Sequence, residues 1–112
     1  MDKNLYIGDF RVRNCCPYGE YKTIDSLCRG DVLILQYNAS EKVVEVMGED
    51  NNNPTKTWVV IGELEMPVHV RRVVVPMLMG ACKNNLFDCL VSYVDVKQPI
   101  NNCLRASVWA KK

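Results

Sequence analysis

From Leu5 to Arg13 the chain opens apolar and then alternates Phe10 and Val12 against Arg11 and Arg13, a period of two that predicts a half-buried strand. Pro17, Gly19 and a polar stretch interrupt the pattern, and Thr23 to Cys28 is too short for more than a helical turn. Asp31 to Tyr37 is continuous and β-branched, and Glu41 to Met47 follows after a short turn through Asn38, Ala39 and Ser40, so the two segments predict an antiparallel hairpin. Gly48 to Pro54 is rich in Asn, Asp, Gly and Pro and reads as a loop. Thr57 to Ile61 is the next strand, ending at Gly62.

From Leu64 the period changes. Val70, Val73, Val74, Met77, Leu78 and Ala81 share one helical face, with His69, Arg71 and Arg72 off it. Valines are poor helix formers, so the periodicity carries this reading. Pro76 either kinks the helix or breaks it and opens a second short one, and Gly80 stops it. Leu86 to Val96 predicts a long strand, Pro99 to Asn102 a turn, and Cys103 to Trp109 a closing strand that pairs with the preceding one. The whole is mainly β with one or two short helices (α+β). It predicts a small OB-like or SH3-like β-barrel of about six strands, with the helix after the fourth strand.

A length of 112 residues predicts one domain over residues 1–112, with a core that stands without metal or disulfide staples. Fourteen cationic side chains against 13 acidic ones leave a net charge of +1, so any nucleic-acid site must be a local patch. The N-terminal residues lack the apolar run of a signal peptide, and the longest mostly apolar stretch, Val73 to Cys82, is far short of the ~20 residues of a membrane helix. A soluble, cytoplasmic protein is therefore expected, and its six cysteines (Cys15, Cys16, Cys28, Cys82, Cys89, Cys103) read as free thiols.

Catalytic chemistry is sparse. His69 is the only histidine, and no sequence feature brings a cysteine to it; Cys28 or Cys103 would be the nucleophile of a thiol enzyme. Cys82 and Cys89 lie on apolar faces and read as core. No Cys-x-x-Cys or His pair has zinc spacing, and the scattered glycines form no phosphate loop. No catalysis, metal or cofactor is expected. A binding surface remains, for which Tyr18, Tyr21, Lys22 and Tyr37, with Arg11, Arg13 and Arg105 on strand faces, supply stacking and phosphate-contacting groups. The alternative from spacing alone is that the tyrosines cap the core and the arginines are ordinary solvated strand residues.

The order of Gly30-Asp31-Val32-Leu33-Ile34-Leu35, Val43-Val44-Glu45-Val46, Val60-Ile61-Gly62-Glu63-Leu64 and the helix segment Val73 to Ala81 resembles the HIRAN domain family, and Leu104 to Lys111 is similar to the last strand of some members. The resemblance runs from Phe10 onward. It implies an OB-like barrel of the stand-alone bacterial or phage type, or one that works with a Swi/Snf-type helicase. It also implies capture of the 3′ end of single-stranded DNA, in DNA repair or a mobile-element context, with the loop at Tyr37 and Asn38 at the terminal nucleotide; Tyr18, Tyr21, Lys22 and Arg105 join that candidate site by residue type alone. The family's Tyr-Asp loop is represented here by Tyr37-Asn38-Ala39-Ser40, and Glu63 and Met66 replace residues that suit phosphate. Those departures favour the alternative, a protein-interaction module that keeps the barrel without the DNA pocket.

Overall fold

Period-two alternation becomes the inside and outside of a barrel. The computed structural model describes residues 5–13, 27–49, 58–80, 86–95, 97–98 and 102–111. Among them are β1 (Leu5–Arg13), β2 (Val32–Asn38), β3 (Val43–Glu49), β4 (Trp58–Leu64), helix α1 (Val68–Leu78), β5 (Phe87–Val94) and β6 (Leu104–Ala110). The strands close in the order β1-β4-β3-β2-β5-β6, every pairing antiparallel. This is the six-stranded, OB-like barrel with a helix after the fourth strand that the pattern predicts. Among the described residues, no helix is long and apolar enough to cross a membrane.

Inward positions are filled by medium-sized apolar side chains, the deepest being Val12, Val44, Val46, Val91, Leu104 and Val108. Burying one such side chain contributes about 1.5–3 kcal/mol. Cys89 and Cys103 join this core, and burial pushes the Cys89 thiol up to about 12. At Gly8 the chain passes under the ring of its own Phe10: a Cβ there would stand 2.6 Å from Phe10 Cζ. The ring of Phe10 thus fills the space a side chain at Gly8 would need, just past the register shift between Tyr6 and Gly8.

Two seams join what are otherwise two three-stranded sheets. β2, β3 and β4 form one meander; β5, β6 and β1 form the other. Between β1 and β4 only Val12–Leu64 and Arg13–Glu63 are in register, extended by a Glu65 amide donating to the Arg11 carbonyl at 2.9 Å. Between β2 and β5 the register covers Val32–Leu90 and Leu33–Cys89, extended by the Gly30 and Val91 amides, which donate to Val91 and Asp31 carbonyls. Helix α1 buries Val74 and Leu78 against the barrel, with Val70 and Val75 packed beside them.

The fourth strand runs past Gly62 to Leu64, because Gly62 is buried opposite Val46 and Glu63 is held by Arg13 of β1. The helix starts at Val68 and is rotated from its expected face: Val73 is 56% exposed, while Arg71 is half-buried. A hydrogen bond from Arg71 Nη2 to the Lys42 carbonyl, 2.9 Å, draws that side toward the β2–β3 turn. Pro76 neither breaks the helix nor starts a new one. It lies in the last turn, and Arg72, whose carbonyl loses its partner there, is exposed to water. Ala81 and Cys82 lie outside the described residues, as do Cys15 and Cys16.

Candidate functional site

Outward side chains of β5, β6 and β1 form cross-strand rows, since Arg105 lies opposite both Tyr93 and Arg11. Both arginines are engaged. Arg105 Nε donates to Asp9 Oδ1 at 2.7 Å, and Ser107 Oγ donates to Asp9 Oδ2 at 2.9 Å. Arg11 forks onto Glu65, Nε to Oε1 at 2.9 Å and Nη2 to Oε2 at 3.3 Å, and its Nη1 donates to Asn102 Oδ1 at 2.9 Å. Partial burial pushes the Asp9 carboxyl up. The facing Ser92 hydroxyl, buried but short of a completed hydrogen bond, together with Arg105 and Ser107, outweighs it and holds the carboxyl below its usual range. Hydrogen bonding from Arg11 lowers Glu65 in the same sense. Arg13 pairs with Glu63 and Lys111 with Asp88, each at 3.5 Å.

A different arrangement exists where α1 meets the β2–β3 turn. The turn's last residue, Lys42, has φ 58°, the left-handed region. Asn38 holds the turn, its Oδ1 accepting the Glu41 amide at 3.1 Å and its Nδ2 donating to Glu45 Oε2 at 3.1 Å. Through the Arg71–Lys42 hydrogen bond, Arg71 stands over this turn, with exposed Arg72 and His69 beside it on α1. Helix α1 contains no carboxylate and has no side-chain cap at its N-terminus, where the helix dipole adds partial positive charge. Glu41 is the acidic residue of the turn. Among the described residues, Lys42, His69, Arg71 and Arg72 form no ion pair.

The residues expected at a binding site therefore divide. Tyr18, Tyr21 and Lys22 lie outside the described residues. Tyr37 points inward and packs against the core, Asn38 borders the cationic corner, and Arg105 sits on the β5–β6–β1 face, bound to Asp9. Lys42, Arg71 and Arg72 were not singled out from the sequence as binding residues. The signal was present in the two arginines standing off the apolar helical stripe, but their meeting with Lys42 needs the fold. The exposed aromatics Tyr93 and Tyr6 belong to the β5–β6–β1 sheet, where Tyr6 and Trp109 stack with ring centroids 5.4 Å apart. His69 is exposed, Cys103 is buried and Cys28 is exposed in the loop before β2. Among the described residues no three His, Cys, Asp or Glu side chains cluster to hold a metal.

Comparison with family models, with curated proteins and with solved structures returns no match for this chain.

Proposed function

We propose that the chain is a non-catalytic module that binds single-stranded DNA through the corner formed by Lys42, Arg71 and Arg72. One observation carries the reading: among the described residues, four cations of the strands and their ends, Arg11, Arg13, Arg105 and Lys111, are each salt-bridged to a carboxylate, whereas Lys42, Arg71 and Arg72 stand at one corner without a carboxylate partner. Cations without a carboxylate partner meet phosphate without first breaking an ion pair, and the gain comes from released counterions. No exposed aromatic of the described residues stands at this corner, so contact there is with the backbone and carries little base preference. The resemblance to HIRAN domains adds the expectation that a free 3′ end is favoured.

The test is an amide-resolved NMR titration with a short single strand bearing a 3′ hydroxyl, beside the same strand with a 3′ phosphate. Shifts are expected at Asn38, Lys42 and His69 to Arg72. The logarithm of the affinity should fall with that of salt, and Arg72→Gln should reduce the slope by about 0.7. Loss of the shifts with the blocked strand supports end capture. Salt-independent binding, or no shift at millimolar strand, overturns the reading.

A further inference from the structure

The outer face of β2, β3 and β4 has a composition unlike the rest of the barrel. These three strands contain no Lys or Arg, and their outward positions bring together Ile34, Met47 and Val60 in one cross-strand row. Val60 is 47% exposed, and Val32, on the same face, is 60% exposed. An apolar strip on a sheet surface, rimmed by polar groups, marks an interaction site.

Carboxylates border the strip on both sides. On one side Glu45 and Glu63 face each other directly across β3 and β4, a like-charge pairing that costs stability on a sheet. Arg13 relieves Glu63, whereas among the described residues Glu45 is met by the neutral amides of Gln36 and Asn38, at 2.6 and 3.1 Å. On the other side, Glu49 is in register with Trp58, and these two with Asp31, Val32 and Leu27 line a cavity of about 240 Å³. Asp31 Oδ2 accepts the Cys28 amide at 2.8 Å, which fixes the carboxylate at the cavity wall. An indole beside two carboxylates suits an organic cation, which gains both from ion pairing and from the ring's electron-rich face.

We propose that this face docks a basic, apolar peptide segment of a partner protein, aliphatic side chains on Ile34, Met47 and Val60 and one lysine or arginine in the cavity beside Trp58, Glu49 and Asp31. Charge complementarity selects this occupant: a face with three glutamates and no cation in its strands repels nucleic acid and acidic partners and desolvates cheaply only against a segment that returns positive charge. The surface adjoins the Lys42–Arg71–Arg72 corner through Asn38, which bonds Glu45, and the proposal does not rest on that reading.

Three labelled peptides test it: one of leucine and arginine, one with glutamate for every arginine, and one with serine for every leucine. With the full protein, the leucine–arginine peptide should shift the amides of Ile34, Met47 and Val60 and the Trp58 indole, and bind at least about tenfold more tightly than either control. Glu49→Lys and Val60→Ser, both at outward-facing strand positions, should each lower that affinity by about tenfold, while Lys97→Gln, past the end of β5, leaves it unchanged. Equal binding of the glutamate peptide, or no shift at millimolar peptide, overturns the proposal. So does movement of the same amides on simple dilution, which would make a second copy of the chain the occupant.

Discussion

At the scale of single residues, the barrel's surface chemistry is set by which charges already have partners. Asp9 illustrates the consequence for pH. Its carboxyl is held below the usual range by Arg105, Ser107 and Ser92 against the opposing effect of partial burial. A depressed carboxylate stabilises the fold above its unfolded pKa, about 3.9, and loses that contribution as pH falls through the folded value. Because the pair is largely solvent-exposed, screening keeps it to about 1 kcal/mol or less. Asp9→Asn should therefore lower stability by about 0.5–1 kcal/mol at pH 7, and urea titrations at successive pH values should show the difference closing below about pH 4. A difference that persisted at pH 2 would mean that packing, not charge, is what the substitution removed.

At the scale of elements, α1 shows why periodicity alone misplaces a helix. Its valines define an apolar stripe in sequence, yet the buried side turns toward Arg71, whose guanidinium reaches the Lys42 carbonyl. This hydrogen bond to the β2–β3 turn accompanies burial of Val74 and Leu78 and exposure of Val68 and Val73. Arg71→Ala should cost about 1 kcal/mol, read as a lower urea midpoint at unchanged slope, and should increase the protection of Val73 if the helix turns back toward its sequence-defined face. An unchanged midpoint would show that the apolar contacts of Val74 and Leu78 orient the helix by themselves. The strands were more legible than the helix: alternation at Phe10 and Val12, and at Leu104, Ala106 and Val108, maps directly onto buried positions. Strand ends were less so, since the extension of β4 to Glu63 rests on its register with both Glu45 of β3 and Arg13 of β1.

For the whole molecule, the two seams are where the barrel is least continuous. Among the described residues each holds two residue pairs in register, against seven between β1 and β6, so the amides of Gly30, Glu65 and Val91 close the barrel with few neighbouring bonds to support them. Native-state hydrogen exchange should find these amides at least tenfold less protected than those of Val46 and Ala106, at the centres of the two sheets. Uniform protection would mean that the barrel opens only as one unit. The seam at β1–β4 is also where Arg11 and Arg13 meet Glu65 and Glu63, so charges that resemble phosphate ligands in the sequence instead bridge the two sheets.

The order and kind of the elements follow from the sequence by itself, because alternation and helical spacing are local properties that the backbone geometry of strand and helix converts directly into faces. Tertiary structure alone decided which charges remain available. Arg11 and Asp9 find partners from far along the chain, Glu65 and Arg105, and Arg71 reaches a carbonyl in a distant turn. Pairing across closed strands depends on register and closure, and these are fixed by the packing of the entire core rather than by any segment of it.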